Sequence, residues 1–416
     1  MRENSCFAVL ALFSALSITA PASIIYWDNG NNNGLWESGG NWSNSLSGNG
    51  MSNGGGLLGT PDAGDVATFN ASSVTSDQNV TIGALGASVD RAVFSTAGHS
   101  VGVGSSTGAG LTIVGTNGIT VNSGSGAVTI GTSSPSTWVN VFIGNSQTWT
   151  NNSASTLTIH DSVAASGIVV PRTLTLTGSG NTVINGQIWN GVLAPLSLVK
   201  SGDGTLTLAG ANYYTGTTLV EDGTLVVNGN QSGANGAVTI ATGGTLSGTG
   251  TIGGATTIQS GGTHAVGTAG TIGTQNFSSA VTYSADSIFS WDLSVTTPSA
   301  TNSATTYDRV GAAAAGGGAD FLINLSGSSF SDAFWDVNHS WSDIFTGTGS
   351  LAAVFSSIQS SAPSNQGHFS FGGSTGHDLT WTVASPVPEP GNALAGALIA
   401  AGLLGRRRSN RKSRVS

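Results

Sequence analysis

The triplet Gly-Thr-Leu begins at Gly204, Gly223 and Gly244, and Gly262-Thr263 stands in the next place, at intervals of 19, 21 and 18 residues. A repeat near 20 residues, with short strands and glycine corners, has the length of one coil of a β-solenoid. A single coil cannot bury its own apolar face, so such coils must stack into one narrow core. Polar and apolar residues alternate in Thr205-Leu206-Thr207-Leu208, Val238-Thr239-Ile240, Leu174-Thr175-Leu176, Leu157-Thr158-Ile159 and Leu111-Thr112-Ile113. That period of two turns the threonines outward and the aliphatics inward. No helical stripe of comparable length interrupts the pattern, although the spacing allows a short helix within Ser331 to Phe345. The expected fold is all-β, an elongated parallel β-solenoid with a cap at each end.

Composition agrees with a folded chain. Charged residues make up only 7% while 38% are hydrophobic, and disorder pairs the opposite extremes. The 63 glycines suit corners where the backbone takes positive φ. One of the 11 basic residues sits near the N-terminus and six near the C-terminus, which leaves Arg91, Arg172, Lys200 and Arg309 in the body against 18 of the 20 acids. A body this acidic has no electrostatic footprint for nucleic acid or an acidic polysaccharide, whereas neutral glycans stay compatible with it.

The two ends carry processing signals. Arg2, the apolar run Phe7 to Ile18 and Ala20-Pro21-Ala22 have the order of a secretory signal peptide, with Ala20 and Ala22 as the small residues of the cleavage site. Cys6, the single cysteine, lies inside that leader, so the mature chain would hold no disulfide and no thiolate metal site. At the other end Pro388-Glu389-Pro390 precedes an apolar stretch, Ala393 to Leu404, and the basic cluster of Arg406, Arg407 and Arg408. Twelve apolar residues would span roughly 18 Å as a helix, short of the roughly 30 Å of a bilayer core. The basic cluster would hold the extreme C-terminus inside during export and leave the Pro-Glu-Pro at the outer face. This order resembles the PEP-CTERM sorting tail over Pro386 to Arg408, with the extension Ser409 to Ser416 as a departure. The resemblance implies processing by an exosortase-type membrane transpeptidase and an association with producers of exopolysaccharide.

Residues 197 to 229 resemble the autotransporter-associated β-strand, or passenger-associated transport, repeat. The resemblance rests on Lys200, Gly202, Gly204, Leu206, Leu208, Gly210, Asn212, Tyr214, Gly216, Gly223, Leu225 and Val227. The opening segment with Trp27, Trp36 and Asn41-Trp42 is similar to the start of proteins that carry this repeat. These likenesses imply an elongated right-handed parallel β-helix exposed at the cell surface. They divide the chain into a signal peptide (1–22), an N-terminal cap (23–75), a solenoid (76–276), C-terminal coils and cap (277–385) rich in Trp and Phe, and the sorting tail (386–416).

Candidate sites are few. Asp203-Gly204 and Asp222-Gly223 repeat one coil apart, so stacking in register would bring Asp203 and Asp222 roughly one strand spacing, about 5 Å, from each other. Such a carboxylate pair suits a weak calcium site or a glycoside-cleaving pair, or simply two Asp-Gly corner turns. Gly248-x-Gly250-x-x-Gly253 matches a dinucleotide fingerprint by letters alone, with no helix pattern after it. The six histidines lack metal-ligand spacing. No catalytic residue, metal ligand or cofactor is therefore assigned. The sequence points to an exported, non-catalytic structural or adhesive surface protein of the bacterial envelope or biofilm matrix. A polysaccharide lyase or hydrolase is the alternative, and a neutral-glycan-binding module a third reading. Clustered carboxylates in a groove would favour the enzyme, and a row of exposed aromatics the binder.

Overall fold

The computed structural model describes residues 23–45, 60–132, 137–166, 170–191, 194–268, 270–294, 307–326, 333–347, 350–362, 366–372 and 376–384. Within these, short strands alternate with corners, and each strand pairs with strands one coil before and after it. Ile119–Val121, Val128–Ile130 and Val139–Ile143 form three sides of one coil. Gln147–Asn151, Leu157–Ile159 and Val163–Ala165 repeat those sides in the next. Stacking generates a 13-stranded sheet A and a 12-stranded sheet B that run the length of the described body. The third side changes hands: a five-stranded sheet C serves residues 87–189 and a four-stranded sheet D serves residues 230–311. Pairing within the stack is parallel, so the chain is a parallel β-helix.

Register follows the repeat. Thr205 pairs with Thr224, Thr224 with Thr245, and Thr245 with Thr263, while Leu206, Leu225, Leu246 and His264 stack directly beside them. The threonines are half-exposed and the leucines buried. This follows from the pleat, which sends successive side chains to opposite faces. The resulting core is a set of aliphatic columns, each filled by the same position of successive coils.

Parallel pairing extends beyond the 76–276 span. Ser23–Trp27 already pairs in parallel with Asp65–Asn70, and Ala319–Ser326 pairs with both Ile288–Ser294 and Phe355–Gln359. The ends are closed by aromatic clusters. Trp42–Ser43 turns back antiparallel on the first strand, and Trp27, Trp36, Trp42 and Phe69 pack together in the core with ring centroids 4.8–6.4 Å apart. These tryptophans are at most 2% exposed, so they form the cap interior and are not open to stack on a sugar. At the far end, a three-stranded antiparallel sheet of His339–Trp341, Gly367–Gly372 and Asp378–Val383 packs Trp341, Trp381 and Phe369 against Trp335. Among the described residues of Ser331 to Phe345, the helical element is one 3-10 turn, Ala333–Asp336.

Candidate functional site

The corner that joins sheets A and B in the repeat segment is organised by Lys200. Its strand, Leu196–Lys200, ends with the side chain turned into the core, 3% exposed. The ammonium donates to the carbonyls of Ser201 (3.1 Å), Gly202 (2.5 Å) and, one coil on, Asp222 (3.1 Å). Three protons thus meet three acceptors that the tight corner leaves outside the strand ladder. Burial pushes the lysine pKa down, and the nearby carboxylates of Asp222 and Asp203 partly restore it. With its donors engaged, Lys200 is arranged as a clamp across two coils and not as a nucleophile.

Asp203 and Asp222 sit on this corner. Continuing the register Thr205–Thr224 places Asp222 one coil beyond Asp203, and the Asp222 carboxylate accepts the Gly223 amide at 2.7 Å. Both carboxylates act on the Lys200 ammonium through their charge, holding its pKa up against burial. Gly223 is required here on two counts. Its φ is +65°, and a Cβ would meet the carbonyl oxygens of Gly202 and Gly204 and lie 2.6 Å from Lys200 Nζ. The remaining sorting and cleavage residues, Ala20, Ala22, Pro388, Glu389, Pro390, Arg406, Arg407 and Arg408, lie outside the described residues.

Other motif residues have equally local work. Asn212 is buried where sheet C ends and sheet D has not begun. Its Oδ1 accepts the Ile188 amide at 2.6 Å, its Nδ2 donates to Gln231 Oε1 at 2.5 Å, and Gln231 Nε2 donates to the Gly210 carbonyl at 3.0 Å. Side-chain amides therefore carry the ladder across the change of side. Tyr214 is buried beneath Thr218 with a hydroxyl pair at 2.7 Å, and burial drives its pKa up to about 12.

Further along, a histidine replaces leucine in the sheet B column. His264 is fully buried, with Nδ1 2.6 Å from Tyr283 Oη and Nε2 2.8 Å from Gln275 Oε1. Because Gln275 Oε1 can only accept, Nε2 carries the proton and Nδ1 accepts from the tyrosine hydroxyl. Burial lowers the imidazole pKa to about 4, so His264 is neutral at physiological pH. One side away, Asp308 accepts the amides of Gly273 (2.8 Å) and Asp292 (2.9 Å) and is raised to about 8, chiefly by burial. The Asp292 carboxylate, also raised by burial, accepts from Asn324 Nδ2 at 3.0 Å. The His264 set is satisfied in the coil interior, and the two carboxylates are satisfied separately by backbone and side-chain amides.

Two open grooves among the described residues bear on binding at the outer faces. One, about 520 Å³, runs over sheet B between Asn79 and Thr132, with Gly102 and Gly104 flattening its floor. The other, about 350 Å³, lies on the outer face of sheet C against Trp138, His160 and Asp161. Nothing in the residue types flags the second groove, but alternation does. In Trp138-Val139-Asn140-Val141-Phe142-Ile143 the buried residues are the aliphatics, so Trp138, Asn140 and Phe142 must face out.

A stack of coils clamped at a lysine corner and bridged by buried amides defines a parallel β-helix of the repeat-built kind. Residues 198–227 match the family model of the passenger-associated transport repeat, and that span contains Asn212, the Tyr214–Thr218 pair and the Lys200 clamp. No curated protein matches the chain. The matched repeat is one of exported passenger domains, which places the repeat-bearing part of this chain among surface-directed β-helices.

Proposed function

We propose that the chain is an exported, non-catalytic structural or adhesive protein of the bacterial envelope or biofilm matrix. The carrying observation is the uninterrupted parallel stack, closed at both ends, with a passenger-type repeat inside it. A rod of this form holds its outer faces rigidly in place, and those faces are rich in threonine, serine and asparagine rather than charge. The leader sends the chain across the inner membrane. The tail then arrests it until an exosortase-type transpeptidase cuts near Pro388-Glu389-Pro390. Exopolysaccharide is the partner that such sorting brings within reach.

Mass spectrometry of the surface fraction from the native host tests this. Peptides reaching Trp381 are expected, and none containing Leu398 or Leu404. Replacing Pro388, Glu389 and Pro390 with alanine is expected to give an uncleaved, membrane-retained form. Intact C-terminal peptides in the mature surface protein would mean that the tail is an ordinary anchor. Release of new reducing or unsaturated ends from polysaccharide by the purified protein would instead support the lyase or hydrolase reading.

A further inference from the structure

The exposed aromatic side chains among the described residues are Trp138, Trp189 and Tyr213, at 38%, 45% and 52%, and all three lie on one face. Register explains the arrangement. Val141 pairs with Val163, and Val163 with Ile188, so Asn140, Ser162 and Gln187 stack as one outward column. The Ser162 amide donates to Asn140 Oδ1 at 3.2 Å within that column. Phe142, Ala164 and Trp189 form the next column, which Tyr213 continues, since its amide donates to the Ile188 carbonyl at 2.8 Å. On the opposite flank Trp138 lines the same groove as His160. Its indole lies against Gly108, where a Cβ would come within 2.5 Å of ring carbon Cε2, so the ring is seated on bare backbone. A polar strip is thereby walled by aromatic rings on both sides.

The central column of the strip, Asn140, Ser162 and Gln187, offers uncharged amides and a hydroxyl, with His160 and the Asp161 carboxylate at its edge. Asn185 Nδ2 lies 3.2 Å from His160 Nδ1, a side-chain hydrogen bond at the edge of the strip. Asp161 Oδ2 is held by the amides of Val139 (2.7 Å) and Thr132 (3.1 Å). The groove lining contains no lysine or arginine.

We propose that this face of sheet C is a binding site for a neutral polysaccharide chain. A pyranose ring presents an apolar C–H face and a rim of hydroxyls, each a donor and an acceptor. Aromatic planes take the former, and amide, hydroxyl and imidazole groups the latter. The lack of cations in the lining, on a body with 18 acids against four bases, disfavours uronates and phosphates. From the coil of Trp138 to that of Tyr213 is three strand spacings, about 14 Å. That length suits several sugar units rather than one. The site deepens the adhesive part of the proposed function and rests on display of the chain outside the cell.

Full-length purified protein is titrated with cellohexaose, laminarihexaose and mannohexaose, and with an alginate hexamer as the acidic counterpart, following tryptophan fluorescence and affinity electrophoresis. At least one neutral hexaose is expected to bind, more tightly than its disaccharide, with no response to alginate. Trp138→Ala and Trp189→Ala are each expected to weaken binding about tenfold, equivalent to about 1.4 kcal/mol. Leu85→Ala, a remote exposed site, is expected to leave it unchanged. No binding by any neutral hexaose, tighter binding of alginate, or binding that survives the double tryptophan variant would overturn the proposal. So would concentration-dependent dimerisation lost in Trp189→Ala, which would make the face a self-interface. Surface fractionation of the double variant separates the two readings, because normal sorting without sugar binding removes the site and leaves the exported role standing.

Discussion

Replacing His264 with leucine would continue the Leu206–Leu225–Leu246 column by one more coil, and the consequence should depend on pH. In the unfolded chain the imidazole titrates near its ordinary value of about 6.5, whereas in the folded coil burial lowers it to about 4. Between those values the unfolded state binds the extra proton, so the histidine's contribution to stability is present above pH 6.5 and lost as pH falls toward 4. The difference of about 2.5 units corresponds to about 3 kcal/mol. Leucine carries no such term. It does leave Tyr283 Oη and Gln275 Oε1 without their imidazole partner, at about 1–3 kcal/mol each. That cost is independent of pH over this range. His264→Leu should therefore be less stable than wild type at pH 7 and close much of the gap by pH 4. Urea midpoints followed by tryptophan fluorescence at half-unit pH steps read the difference directly. Asp308, raised to about 8, acts in the opposite sense in both proteins: its neutral form favours the fold, and stability is lost as pH rises through 8. It cancels in the comparison. Parallel pH profiles for the two proteins would refute the burial of a neutral imidazole.

Two substitutions probe the lysine corner. Lys200→Met keeps the buried stem but strands the carbonyls of Ser201, Gly202 and Asp222, and should destabilise the stack by about 2–4 kcal/mol in thermal unfolding. An unchanged melting temperature would mean that water serves those carbonyls equally well. Gly223→Ala adds a Cβ at φ +65° against the carbonyls of Gly202 and Gly204, and should cost at least about 2 kcal/mol. Serine at neighbouring Thr224, half-exposed on the outer face, should be tolerated within about 0.5 kcal/mol.

The repeat was legible where its coils are shortest. Near Gly204, Gly223 and Gly244 the loops between strands are minimal, so sequence spacing and spatial register coincide. Toward either end they part. Ala92 pairs with Ile119, Thr120 with Thr150, and Val281 with Ala314, because loops of different length are inserted at the corners while the strands stay stacked. Spacing alone carries no signal of that kind. The Lys200 clamp was equally hidden, since its partners are backbone carbonyls whose position depends on the turn and not on residue type. Asp203 and Asp222 could be placed on equivalent corners from the repeat, but their electrostatic influence on the buried Lys200 could not. Tryptophan shows the same limit. Trp42 and Trp189 are the same side chain, one 0% exposed in a cap and the other 45% exposed on a flat side, and only the phase of the surrounding alternation distinguishes them.

That difference in tryptophan placement bears on how such a rod can meet a partner. A parallel stack has two terminal strands whose open edges would recruit another copy end to end. Here the first strand, Ser23–Trp27, is met by the antiparallel Trp42–Ser43, and Trp27, Trp36, Trp42 and Phe69 pack together in the core at that end. At the other end Phe289, Phe321 and Phe355 stack inside the last coils, and the antiparallel sheet around Trp381 packs beyond them. Neither cap repeats the aliphatic column of the middle, so a second copy offers no matching surface to continue it. Growth along the axis is disfavoured, and specific contact is left to the sides. Of those sides, sheets A and B present mainly threonine and serine in columns, a surface without a strong ligand preference. Sheet C departs from this by placing three exposed rings beside a neutral polar strip, which is why recognition is expected there.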